Sequence, residues 1–177
     1  SEVRYKGSLV KLMDWDNANG IMFTGAGESV TYENIAGILG ESTAITVGDV
    51  ATATTLTLST TGAAAVTDLT LAGSATLAIT GAKTFTGAIV GGASNTATLD
   101  IDEDVTIAGE VGKTVALATG NVITGKTLTL STTAAAAITD LTLAGSATLA
   151  ITGAKTFTGA IVGGAANTAT LDIDADT

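Results

Sequence analysis

The chain has no cysteine, no histidine and no proline, and only six aromatic residues among 177. Without His or Cys there is no imidazole base, no thiolate nucleophile, no disulfide framework and no conventional zinc site. At average usage about nine prolines would be expected. Positive charge is also scarce: seven Lys and Arg stand against 17 Asp and Glu, a net charge of -10. A chain of that sign with no basic patch does not grip phosphate backbones, so no nucleic-acid partner is expected. No run approaches the ~18 apolar residues of a membrane helix, because Thr, Ser or Gly interrupts every few positions. No membrane insertion is expected. SEVRYKGSLV has no basic stretch leading into an apolar segment, so no signal peptide is read there. Ser1 fits either a removed initiator Met or an already cleaved signal.

What remains is built from small side chains. Thr (35), Ala (32) and Gly (22) make up half the chain. Mean hydropathy is +0.49, much of it from Ala. Plentiful Val, Ile and Leu at low charge density argue against disorder.

The strongest signal is an internal repeat. Residues 56–104 and 128–176 align at an offset of 72, with 45 of 49 positions identical. The exceptions are Gly62/Ala134, Val66/Ile138, Ser94/Ala166 and Glu103/Ala175. Near-identity means one environment presented twice, as in a stack where each layer sees only its neighbours. A shorter beat of eight runs inside: LTLAGSAT, LAITGAKT, FTGAIVGG (69–92). Alternating apolar and small polar residues read as strands with one buried face, and Gly at AGSA, TGAK and VGGA supplies turns. Further strands are expected at 96–102, 105–109, 114–119, 121–124 and 126–130. The AAAA run (134–137) could extend as helix by Ala's propensity, but its counterpart GAAA (62–65) opens with Gly, so a corner is read there instead.

The fold class read from this is all-β: a small N-terminal β region, then a repetitive β-solenoid or threefold β-helical shaft. The repeat offset equals nine octads, which suggests three coils of three octads each. A tandem pair of small β-sandwiches is the alternative. The expected shaft core is Leu69, Leu71, Leu77, Ile79 and Phe85, with their copies Leu141, Leu143, Leu149, Ile151 and Phe157.

Residues 1–50 differ in composition, holding the only Trp and Arg, both Tyr and both Met. The organisation expected is a docking and assembly region at 1–50, a first β-repeat with connecting strands at 51–127, and a second at 128–177. VRYKGSLVKLM reads as an alternating strand, DWDNANG as a turn, IMFTG as the return strand and ENIAGILG as a short helical turn. Arg4, Tyr5, Met13, Trp15, Met22, Phe23 and Tyr32 are the candidate assembly residues, since aromatics and Met favour interface cores. Filling a small local core is the other reading.

Four patterns carry candidate chemistry. Gly120–Thr127 (GNVITGKT) matches the phosphate-loop spacing, but a strand rather than a helix is expected after it. Asp100, Asp102 and Asp104, repeated as Asp172, Asp174 and Asp176, alternate and would share a strand face. They are a candidate Ca²⁺ set, against the alternative of a solvated acidic edge. Asp14–Gly20 departs from a calcium loop in the placing of its Gly, and a turn accounts for it better. TxT runs suggest an ice-binding ladder, but the outward residue varies between octads. No cofactor beyond that candidate Ca²⁺ is implied. With no aromatic platform beside the carboxylates and no Ser/Lys motif, no enzyme is expected.

The Thr/Gly/Ala octads, such as LTLAGSATLAITGAKTFTGA, resemble the β-structured repeats of bacteriophage virion fibres and decoration proteins. That resemblance is one of style and covers residues 51–177. It implies a non-enzymatic virion structural protein, a homotrimer whose residues 1–50 dock on a capsid or other particle surface. With no distal tip after the second repeat, decoration or cementing is favoured over receptor recognition. The alternative is a self-polymerising extracellular filament or sheath subunit, with a surface adhesin or ice-binding module behind it.

Overall fold

The computed structural model describes residues 2–5, 8–11, 21–23, 29–32, 45–47, 54–58, 62–81, 83–92, 95–131, 133–153, 156–166 and 168–175. Side chains are described from Thr46 onward, with 62–67 and 83 as backbone only. All eighteen elements among these residues are strands. In chain order they are β1 (Glu2–Tyr5), β2 (Ser8–Lys11), β3 (Ile21–Phe23), β4 (Ser29–Tyr32), β5 (Ile45–Val47) and β6 (Thr55–Leu58). Then come β7 (Gly62–Leu71), β8 (Thr76–Ile79), β9 (Lys83–Gly91), β10 (Thr98–Ile101), β11 (Val105–Ile107) and β12 (Val111–Lys113). The last six are β13 (Leu117–Val122), β14 (Thr127–Leu130), β15 (Ala136–Leu143), β16 (Thr148–Ile151), β17 (Phe157–Gly163) and β18 (Thr170–Ile173).

β1 and β2 form an antiparallel hairpin of their own. So Val3–Tyr5 and Ser8–Lys11 pair with each other rather than forming one strand, and among the described residues Ile21–Phe23 does not return against them. Instead β3 pairs with β5 in parallel, and the remaining strands all join one sixteen-stranded sheet. Within that sheet every pairing is parallel, and partner numbers differ by 20 to 26. Parallel neighbours at that separation require the chain to circle back once per turn. The architecture is a single-chain β-solenoid of about five turns.

Three ladders run along it. The first face holds β3, β5, the second half of β7, the second half of β9, β12 and the starts of β15 and β17. The second holds β4, β6, β8, β10, β13 and the ends of β15 and β17. The third holds the starts of β7 and β9, then β11, β14, β16 and β18. Alternation at period two turns one residue in two inward. Leu56, Leu77 and Leu99 form one sealed inward column, and Phe85, Ile107, Leu130 and Ile151 form another. A proline in such a strand would delete a ladder donor, and its absence fits a sheet continuous round the coil.

Three readings of the sequence need correction. First, the turn is shorter than three octads: Thr76 stands in register with Thr55 before it and Thr98 after it. Most other partners show the same spacing. Consequently one repeat makes three turns plus one face: β6, β8 and β10 lie on the second face, and their copies β14, β16 and β18 on the third. Second, the Ala runs are neither corner nor helix, since 62–65 lie within β7 and Ala136–Ala137 within β15. The bends come just after them, where the register shifts between Ala65 and Asp68 and between Ala137 and Asp140. Gly87 (φ 101°) and Gly159 (φ 132°) lie against those bends. A Cβ on Gly159 would sit 1.7 Å from the Ile138 carbonyl oxygen, so only glycine fits. Third, 114–119 and 121–124 are not two strands; β13 spans the join.

The composition boundary near residue 50 is not a boundary of the sheet, since β3, β4 and β5 already belong to it. The helical turn expected at ENIAGILG, the DWDNANG turn at 14–20, and Met13 and Trp15 lie outside the described residues.

Candidate functional site

The acidic edge of the first repeat is bound by the next coil. Asp100 projects outward from β10, and Asn121 on β13 donates from Nδ2 to its Oδ1 at 3.0 Å. Lys126 Nζ reaches Glu103 Oε2 at 2.6 Å. The Thr127 backbone N–H donates to Asp104 Oδ1 at 2.8 Å. The phosphate-loop look-alike is therefore a clamp between coils: Gly120 and Asn121 lie in a strand, Gly125 turns the chain at φ 75°, and β14 follows rather than a helix. Hydrogen bonding to Glu103 holds the Lys126 ammonium above the ordinary lysine range. Partial burial, followed by the like charges of Asp100 and Glu103, pushes the Asp102 carboxyl up. A second ion pair, Lys113 Nζ to Asp68 Oδ1 at 3.1 Å, spans two coils.

Asp100 flanks the buried Ile101 on β10, with Asp102 on its other side, both half-exposed. β10 ends at Ile101 and β18 at Ile173, so Asp102, Asp104 and Asp174 follow the strands rather than continue them. Among the described residues no three carboxylates gather into a group able to hold a metal ion. Asp172 lies on β18, and Asp176 is outside the described residues.

The true turn length builds a column that the octad beat conceals. Ser29, Thr55, Thr76, Thr98 and Thr119 are in register along the second face. The hydroxyls of Thr98 and Thr119 lie 2.9 Å apart. The adjacent outward column runs Thr57, Ala78, Asp100, Asn121, so a double Thr ladder does not persist. Asn121 and Lys126 were legible only as parts of a phosphate-loop pattern. Their true partners, Asp100 and Glu103, lie one coil back, a spacing that the turn length predicts.

The two ends of the stack differ from its middle. Leu171 and Ile173 on β18 are each 48% exposed, whereas their copies Leu99 and Ile101 are wholly buried. Phe85 is sealed, while its copy Phe157 is only partly buried against the core. A Cβ on Gly163 would meet nothing within 4 Å, while one on its copy Gly91 would lie 2.2 Å from the Val115 carbonyl oxygen. The other expected core residues, Leu69, Leu71, Leu77, Ile79, Leu141, Leu143, Leu149 and Ile151, are buried. Of the candidate assembly residues, Arg4 and Tyr5 lie on β1, Met22 and Phe23 on β3, and Tyr32 on β4. Among the described residues β3 pairs only with β5 and β4 only with β6, leaving one edge of each open.

No family model, no curated protein and no solved structure matches the chain.

Proposed function

We propose that the chain is a non-enzymatic structural protein, a rigid β-rod that decorates or cements a virion or forms part of a capsid fibre. The observation that carries this reading is the core. Apolar columns close inside a single chain through successive coils, while the walls present mostly small hydroxyl and methyl groups. Such a body has stiffness and length as its useful properties. The N-terminal strands are the proposed contact with the particle. Because one chain closes its own core, three chains have no core to share, and we favour a rod engaged at its ends over an intertwined trimer. Fractionation of producing cells tests the reading. Co-sedimentation with particles at a fixed copy number supports it; confinement to cell-surface fibres overturns it. The second reading is a self-polymerising extracellular filament, favoured by the half-exposed Leu171 and Ile173.

A further inference from the structure

The closing end of the stack and its opening end are complementary, an inference that rests on reading the chain as a structural rod. The first repeat shows what covers the closing strands when they are covered. There β12 and β13 lie on the second half of β9 and on β10, with Val111 beside Ile89 and Thr119 beside Thr98. Among the described residues the copies of β9 and β10, residues 161–163 and β18, pair with no following strand, and Val162, Leu171 and Ile173 stand half-exposed.

The opening strands match the missing cover in three ways. Spacing comes first: Val111 and Thr119 are eight residues apart, and so are Ile21 and Ser29. Pattern is second. Ser29-Val-Thr-Tyr32 alternates polar and apolar as Thr119-Gly-Asn-Val122 does, and Val30 and Tyr32 stand in register with the buried Leu56 and Leu58. Edge direction is third: among the described residues β3 and β4 are unpaired on the side opposite to β5 and β6, the side that a preceding coil would occupy.

We propose that β3 and β4 of a second copy seat on 161–163 and β18, taking the place that β12 and β13 hold on β9 and β10. Ile21 then stands beside Ile161, Ser29 beside Thr170, and Thr31 beside Asp172, as Asn121 stands beside Asp100. Phe23 and Tyr32 belong to the strand ends that close over Gly163 and Ile173. A parallel main-chain ladder and burial of the exposed aliphatics drive the docking. The contact is heterologous and does not close, so copies add head to tail.

The test uses the full chain carrying Ser29→Cys and Thr170→Cys, in a sequence with no other cysteine. Mild oxidation is expected to give a ladder at multiples of 17.2 kDa on non-reducing electrophoresis. Adding Ile173→Asp is expected to cut the ladder by roughly tenfold while the β circular-dichroism signal stays, because a charge would be buried unpaired at the joint. Monomer alone after oxidation overturns the docking. So do dimers that Thr170→Cys forms equally well by itself, since these are tail to tail. A monomer that keeps a rod-shaped scattering profile removes only the docking, whereas one that is not a rod removes the structural reading as well.

Discussion

Thr114 holds a backbone conformation that its side chain opposes. Its φ is 71°, in the left-handed region, where a β-branched residue is strained by about 1–2 kcal/mol. The side chain is exposed, so replacing it loses little packing. Thr114→Gly is expected to stabilise the chain by about 0.5–1 kcal/mol after glycine's own entropic cost, read as a higher urea midpoint. Phe85 and Phe157 make the opposite kind of test. Phe85→Ala should cost about 3–5 kcal/mol, and Phe157→Ala less than half of that, because the end of the stack already leaves Phe157 partly in water. Equal losses would show that the second repeat is covered as fully as the first. Asp102 sets a pH dependence. Burial and its acidic neighbours raise its pKa, so the folded chain holds that proton more tightly than the unfolded chain. Its effect on stability is therefore a gain as pH falls through the raised pKa, complete below the ordinary carboxylate pKa. At neutral pH the ionised form is a small burden. Asp102→Asn should leave neutral-pH stability unchanged or higher and flatten the acidic rise in Tm; a lower Tm at neutral pH would contradict the sign.

At the scale of the strand, sequence and environment separate. Thr98–Ile101 and Thr170–Ile173 have the same four residues, yet one strand lies between two coils and the other at the end of the stack. Ile101→Ala should cost about 2–5 kcal/mol and Ile173→Ala less than about 1 kcal/mol in paired denaturant titrations. The strands were readable because alternation of Leu, Ile or Val with Thr fixes both a strand and its inward face. Leu77, Ile79, Leu149 and Ile151 follow from that alone. What could not be read was the turn length. Eight separates some neighbouring strands within a coil but not all, since three faces share a turn of only 21 or 22 residues and corners absorb register shifts such as that between Ala65 and Asp68. Once the turn length is fixed by the register of Thr76 with Thr98, the Thr column and the Asn121–Asp100 and Lys126–Glu103 contacts follow. From octads alone they do not. The Ala runs misled for a related reason: small residues suit a corner, but they equally suit a strand beside one.

For the whole molecule, the stack explains how near-identical repeats coexist in one fold. Each layer meets only the layers beside it, so the same sequence is satisfied wherever it falls. The advance of one face per repeat means that equivalent surfaces, such as the outward sides of β10 and β18, point in different directions. The six strands of the third face, at ~4.8 Å per step, rise about 24 Å. Stability should grow with the number of coils rather than depend on one central core. The central claim is that a single chain closes these coils in the register found. It is tested most directly by Thr98→Cys with Thr119→Cys in the cysteine-free chain, since these two residues are register partners whose hydroxyls lie 2.9 Å apart. The account predicts a rapid disulfide within one chain and a product that remains 17.2 kDa under denaturing, non-reducing conditions. Disulfides that join different chains, or thiols that stay free in the folded protein, would contradict it.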